Sequence, residues 1–158
     1  MKFVYTFATI GVLALGVAGC ETTGTTYGPL QKLPNGSFIL TTDFRAEADK
    51  INKVIFIEDM KPDCTFRDYP PVTVTEQPSH GTLTIRQAKD VPTAPPYDAL
   101  QPACYRKPVQ GILIEYTPTP GYTGWDHFAY QMAAKENSRS TAYLPGVFIR
   151  HVRAVTVQ

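Results

Sequence analysis

Proline and glycine most constrain what this chain can fold into. The 158 residues include 14 prolines and 11 glycines, spread along most of the sequence. Proline inside a helix removes a backbone hydrogen bond and clashes with the preceding turn, and glycine permits turn conformations that other residues avoid. Between these residues lie short runs in which apolar and polar residues alternate, a pattern typical of half-buried strands. The sequence therefore predicts an all-β protein, an antiparallel sandwich of about seven strands.

The N-terminal segment is a separate feature. Lys2 carries a charge, residues 3–19 carry none, and Cys20 follows directly. A basic start, an apolar run and small residues before a cleavage point predict a secretory signal peptide over residues 1–19. The alternative is a transmembrane helix, but the run is short against the roughly 20 residues that span a bilayer, and it contains several glycines.

The end of this segment, Val17-Ala18-Gly19-Cys20, resembles the lipobox of bacterial lipoproteins. The resemblance implies that Cys20 becomes the lipid-modified first residue of the mature chain, with its acyl chains as a membrane anchor. In the sorting rule that accompanies this resemblance, aspartate after the cysteine favours inner-membrane retention. Glu21 stands there instead. We therefore expect a bacterial cell-envelope protein, at the outer rather than the inner membrane, with its body in the periplasm or at the cell surface.

The length and charge of the predicted mature chain, residues 20–158, indicate its number of domains and the partners it can bind. Removing the first 19 of the 158 residues leaves 139, which is a common size for one domain. Without Lys2 the chain has 14 basic residues against 14 acidic ones. A near-neutral chain lacks the electrostatic signature of nucleic-acid-binding proteins. We therefore predict no nucleic-acid partner.

The segment before the predicted sandwich has two parts. Residues 20–36 are rich in threonine, glycine and proline, which predicts a flexible tether between lipid and body. Residues 37–53 begin with strand composition. From residue 43 onward the apolar residues recur at helical spacing, and this spacing predicts a short helix; the residues are Phe44, Ala48, Ile51 and Ile55. Residues 54–158 then have β composition and form the predicted sandwich domain.

Cys64 and Cys104 remain once Cys20 is assigned to lipid. Two cysteines in an oxidising compartment admit a single pairing. A bond between them closes a loop of about 40 residues and stabilises the fold by roughly 4 kcal/mol. The competing interpretation is a redox pair or a metal site, and redox pairs usually have the closer Cys-x-x-Cys spacing. The sequence predicts a structural disulfide.

Residues 87–110 hold five prolines, which predicts a long loop rather than a strand or helix. Long loops on rigid sandwiches often carry function. Tyr97 and Tyr105 would then contribute to a binding surface. The loop could equally be a crossover held down by Cys104.

Two stretches carry a resemblance to a known family. Residues 77–83 (QPSHGTL) and 114–130 (IEYTPTPGYTGWDHFAY) resemble two conserved steps of bacterial immunoglobulin-like, cadherin-like repeats. The resemblance covers about residues 54–158 and implies an immunoglobulin-like sandwich. Members often bind calcium through acidic residues at the end of a repeat. The closing segment 150–157 has no carboxylate, so we predict no calcium site.

The second stretch forms a corner whose residues have individual physical roles. Prolines stop the ladder, glycines permit turn geometries, and an aspartate can accept backbone hydrogen bonds. Phenylalanine and tyrosine two residues apart share one face of a strand and can fill the core. The predicted turn and core residues are Tyr116, Pro118, Gly121, Gly124, Asp126, Phe128 and Tyr130. Tyr122 and Trp125 add bulk at the same end, and packing explains them more simply than a carbohydrate platform.

The three histidines, His80, His127 and His151, show no short metal-ligand spacing. We predict no metal site and no cofactor. Ser79 precedes His80, but neighbours in sequence need not be hydrogen-bonded, and the chain has no Gly-x-Ser-x-Gly nucleophile motif. We predict no catalytic residues.

The sequence predicts a non-catalytic, lipid-anchored envelope protein whose immunoglobulin-like domain is a structural or protein-interaction module. The alternative is a module that binds glycan or peptidoglycan, and an envelope hydrolase comes third. A glycan binder should expose aromatic rings, and a hydrolase should bring a nucleophile against a base in a cleft.

Overall fold

The computed structural model describes residues 25–91, 104, 107–135 and 139–158. The predicted signal peptide, the lipid-attachment residue Cys20, Tyr97 and Tyr105 lie outside the described residues. In the described part of the chain there is no α-helix, and so none that could cross a membrane. The described residues form nine strands: β1 (Thr25–Tyr27), β2 (Gln31–Lys32), β3 (Phe38–Glu47), β4 (Asn52–Ile57), β5 (Val72–Glu76), β6 (Gly81–Asp90), β7 (Val109–Pro118), β8 (Gly124–Lys135) and β9 (Tyr143–Val157).

The strands form two sheets. The larger has the order β1-β3-β9-β8-β5, with β2 also paired to β3, and the smaller has the order β4-β7-β6. All pairs are antiparallel except β3 and β9, which run parallel over the whole of β3. The predicted all-β class, with antiparallel sheets, is confirmed.

The core lies between the two sheets because each strand turns alternate side chains inward. Its largest fully buried side chains include Tyr116 and Ile114 from the smaller sheet, and Phe128, Tyr130 and Val152 from the larger sheet. The rings of Tyr116 and Phe128 stack across the sandwich with their centroids 5.4 Å apart. Tyr116, Phe128 and Tyr130 are therefore core residues, as predicted.

A second, smaller core involves the other face of β7. Leu113 and Val109 pack there with Phe56 and Met60, and Cys104 joins them with 1% of its surface exposed. Cys104 is bonded to Cys64, and their Cα atoms are 5.2 Å apart. The predicted pairing is present. The bond fastens the far end of the proline-rich loop beside this second core.

The predicted helix in residues 43–53 is wrong, because β3 continues to Glu47. Thr42, Phe44 and Ala46 are buried at every second position, and the period of a strand prevails over the helical spacing. Asp49 adopts a positive φ of 57°, which ends regular structure. The Asn52 side chain then clamps the turn: its amide oxygen accepts a hydrogen bond from Glu47 N–H, and its NH2 group donates to the Glu47 and Lys50 carbonyls.

The prediction of a flexible tether over residues 20–36 is partly wrong as well. Thr25–Tyr27 and Gln31–Lys32 both pair with β3, whose outer edge would otherwise be unpaired. The predicted loop at 87–110 is shorter than expected, since β6 extends to Asp90 and β7 begins at Val109.

Candidate functional site

One end of the sandwich is organised by the carboxylate of Asp126, at the start of β8. Its Oδ1 accepts hydrogen bonds from the backbone N–H groups of Ser79 and His127, both 2.9 Å long. Its Oδ2 accepts one from His80 N–H, at 2.9 Å, and one from the Tyr116 hydroxyl, at 3.0 Å. Asp126 therefore joins the β5–β6 connection, β7 and β8 at a single buried point, in the turn-ordering role that the sequence predicts.

Burial and hydrogen bonding act in opposite directions on this carboxylate. Burial alone raises the pKa of Asp126, but the N–H groups of His80, Ser79 and His127, together with the Tyr116 hydroxyl, favour the charged form and bring the pKa below its ordinary value. Burial, with the hydrogen bond to the carboxylate, raises the pKa of Tyr116. Asp126 therefore stays ionised and Tyr116 stays protonated at neutral pH.

The β7–β8 turn closes beside this point. Pro118 is fully buried at the end of β7, and the following turn returns a hydrogen bond of 2.9 Å from Tyr122 N–H to the Thr119 carbonyl. Gly121 has a φ of 76° and Gly124 a φ of 132°, both in the range that favours glycine. The predicted glycines thus stand where the turn requires positive φ.

An open cleft of about 500 Å³, which we call the Trp125 cleft, lies against this corner. Its lining residues are Ser79, His80, Trp125, Asp126, His127 and Arg153. The Tyr122 ring stacks on His80 with centroids 4.2 Å apart and planes 7° from parallel. The cleft thus combines an aromatic wall with polar groups.

Trp125 was expected to pack at the corner, and this prediction is wrong, because 64% of its surface is exposed. Its position in β8 explains the difference. Asp126 and Phe128 face inward, so the residue before Asp126 points to the opposite face. The two-residue alternation was present in the sequence and could have placed Trp125 outside.

His127 and His151 also lie on the outer face of the larger sheet. The sequence did not suggest that they meet. Nδ1 of His127 is 2.9 Å from Oε1 of Glu76, and the two imidazole rings lie 5.8 Å apart, nearly parallel. One ligand atom from each of Glu76, His127 and His151 lies within 4.8 Å of the others. We call these three residues the histidine cluster.

The geometry assigns Asp126 and His127 to different partners. The His127 ring faces Glu76. The hydrogen bond between His127 and Asp126 comes instead from the His127 backbone N–H. Likewise, Ser79 and His80 share Asp126 through their backbone N–H groups. These four residues are arranged as a turn anchored by a carboxylate.

A further depression of about 290 Å³ lies near the β3–β4 turn. Charged and polar side chains dominate its wall, and its residues are Thr25, Phe44, Arg45, Glu47, Ile51, Asn52 and Lys53. Glu47 is already paired with Lys50 there. The Trp125 cleft is the stronger candidate because it is larger and has an exposed indole at its edge.

Comparison of the chain with protein families, with curated proteins and with solved structures found no match.

Proposed function

We propose that this chain is a lipid-anchored protein of the bacterial cell envelope, without a catalytic role, whose immunoglobulin-like domain binds an envelope partner through the Trp125 cleft. The single observation that carries the binding role is the exposed indole of Trp125 beside that cleft. Ligands bind preferentially in clefts that combine aromatic side chains with a few polar groups, and tryptophan is enriched among the residues that dominate binding energy.

The immunoglobulin-like assignment is supported by strand order. In constant-type immunoglobulin domains, strands A, B, E and D form one sheet and strands C, F and G the other. Taking β3 to β9 as A to G, the smaller sheet has the order B-E-D and the larger contains G-F-C. There are two differences: the first of these seven strands pairs with the last, in parallel, and β1 and β2 add to the outer edge of that first strand. Fold alone does not give function, so the binding role depends on the cleft.

The envelope location is supported by the sequence around Cys20, which a labelling experiment tests. Cells that express the full chain or Cys20→Ser receive a fatty acid that can be detected after incorporation. The wild-type protein should be labelled and found in the membrane fraction, and the variant should be unlabelled and retained as precursor. Equal labelling of both proteins would refute the anchor.

The binding role is tested by photo-crosslinking in intact envelopes. A photoreactive phenylalanine analogue replaces Ser79, whose exposed side chain borders the cleft, or Thr84, an exposed residue on the other sheet. We expect a discrete adduct from position 79 and none from position 84. Trp125→Ala in the same chain should abolish the adduct. Equal adducts at both positions, or an adduct that survives the loss of Trp125, would refute the proposal.

A glycan or peptidoglycan ligand is the second candidate, favoured by the composition of the cleft. An exposed indole offers an apolar face, and Ser79, His127 and Arg153 offer polar groups around it. The same crosslinking experiment separates the two classes. An adduct removed by protease treatment of the partner indicates protein, and one removed only by a muramidase indicates peptidoglycan.

A further inference from the structure

The histidine cluster surrounds a single small residue, Ala129. His151 on β9 and Glu76 on β5 are both register partners of Ala129, one on each side of β8. His127 precedes Ala129 by two positions on the same strand and therefore projects from the same face. A larger residue at position 129 would occupy the space between the three side chains. The fold thus directs two imidazoles and a carboxylate toward one point from three adjacent strands.

The distances suit a shared metal ion. Zinc binds imidazole nitrogen at about 2.0–2.1 Å and carboxylate oxygen at about 2.0–2.2 Å, so two tetrahedral ligand atoms lie about 3.3 Å apart. Glu76 Oε1 and His127 Nδ1 are already 2.9 Å apart, and all three ligand atoms lie within 4.8 Å of one another. Small side-chain rotations would bring them to ligand spacing. The side chains of His127 and Glu76 are 41% and 52% exposed, so they have room to turn and an ion can reach them.

The local charges also allow a cation. Arg153 lies directly across from His127 on β9, and its positive charge would oppose an incoming ion. Its Nε and Nη2 groups, however, donate to the two oxygens of the Asp43 carboxylate, at 2.6 and 2.8 Å. This bidentate pair offsets the charge of Arg153. Glu76 then supplies the negative charge at the cluster itself.

We propose that Glu76, His127 and His151 bind one divalent late transition-metal ion of the zinc type, with the remaining coordination positions open to water or to a ligand in the adjoining cleft. Two imidazoles and one carboxylate select such ions over calcium and magnesium, which prefer oxygen ligands. The same donor set holds zinc in sites that keep an open position. The proposal is independent of the partner proposed for the Trp125 cleft, although His127 borders both.

The test measures zinc binding to the full chain, extracted in mild detergent and carrying no histidine tag. Isothermal titration with zinc chloride should give one saturable equivalent. His151→Ala and Glu76→Gln should each weaken the affinity at least tenfold, as loss of even an outer-shell partner commonly does. His80→Ala is the matched control, because it removes the third histidine of the chain and should leave zinc affinity within twofold. Circular dichroism of each variant checks that the sandwich is intact.

A second measurement identifies the ligands without any substitution. Long-range 1H–15N correlation spectra of the histidine rings should show zinc-dependent shifts for His127 and His151 and none for His80. Calcium chloride should give neither heat nor shifts. The proposal is overturned if zinc produces no saturable heat, if His80→Ala weakens binding as much as His151→Ala does, or if calcium binds as well as zinc.

Discussion

The buried carboxylate of Asp126 gives the sharpest test of how this fold is held together. Asp126→Asn keeps the size of the side chain and removes its charge. One oxygen remains, and it can still accept from two donors. The new NH2 group must face the other two, the His80 N–H and the Tyr116 hydroxyl, if the amide oxygen stays with Ser79 and His127. The Tyr116 hydroxyl can reverse its role, accepting from the NH2 group and donating to the His80 carbonyl oxygen 3.3 Å away. We therefore expect the hydrogen bond from His80 N–H to be lost and the other three to lose their charged partner.

The magnitude follows from the number and type of these bonds. A hydrogen bond to a charged group contributes about 1.5–3 kcal/mol, and a buried donor left without a partner costs about 1–3 kcal/mol. The loss of the His80 bond, together with the weakening of three bonds that are no longer charge-assisted, lowers the free energy of unfolding by about 3 kcal/mol. The neighbouring cleft gives water access to the Ser79 and His80 side of the carboxylate, so values near the upper end are not expected.

Urea denaturation of the body without residues 1–20, followed by far-ultraviolet circular dichroism, measures the loss. The sign of the pH dependence is fixed by the lowered pKa of Asp126. Because its folded-state pKa lies below the ordinary value of 3.8, its contribution is full above that value and is lost as pH falls through the folded pKa. The difference between wild type and Asp126→Asn should therefore be largest at neutral pH and shrink below pH 3.8.

Asp43→Asn is the control, since Asp43 forms an exposed bidentate pair with Arg153. Exposed pairs contribute about 0–1 kcal/mol, so this variant should change stability little. Two results would refute the account of Asp126. One is a loss of unfolding free energy no larger than that of Asp43→Asn. The other is a loss that stays constant down to the lowest pH at which the protein is still folded.

Three further changes test other parts of the fold. Reduction of the Cys64–Cys104 bond, which spans 40 residues, should lower stability by about 4 kcal/mol, and thiol titration of the denatured, unreduced body should find no free thiol from this pair. Gly81→Ala would place a Cβ 2.4 Å from the Tyr116 ring and 2.7 Å from the Thr117 carbonyl oxygen; the expected cost is about 1–3 kcal/mol, and an unchanged urea midpoint would contradict that packing. Asp59→Asn removes the charge that pairs with both Lys135 and Arg67, whose side chains are nearly buried, and should cost about 3 kcal/mol; thermal unfolding equal to wild type would show that the pairs contribute little.

The strands could be predicted from sequence where one face is buried and the other is exposed to solvent. Residues 72–76 and 81–86 alternate clearly, and both lie within observed strands. The region around Phe44 contained two periods at once, and local sequence could not decide between them. The decision came from β9, which pairs with β3 along its whole length and requires extended backbone there. A long-range partner of this kind leaves no mark in the local pattern.

The histidine cluster shows the same limit more strongly. His127 and His151 are 24 positions apart in the numbering, and Glu76 is 51 positions before His127. Their approach depends on the order β5-β8-β9 and on the registers that place Glu76 and His151 beside Ala129. A shift of one residue in either register would send these side chains to opposite faces. Only the assembled sheet therefore specifies the cluster, whereas Asp126 could be assigned its role from the turn sequence around it.

The register of β8 can itself be tested by two substitutions three positions apart. Phe128 is fully buried and its ring stacks on Tyr116, whereas Trp125 is 64% exposed. Phe128→Ala removes a core ring and leaves a cavity, which costs about 3–5 kcal/mol. Trp125→Ala deletes the larger side chain but should change the free energy of unfolding by less than about 0.5 kcal/mol, the usual range for surface positions. Side-chain size alone would rank the two losses the other way. Urea midpoints measured side by side decide between them, and a larger loss for Trp125→Ala would mean that β8 presents the opposite face to the core, which would remove the exposed indole from the proposed cleft.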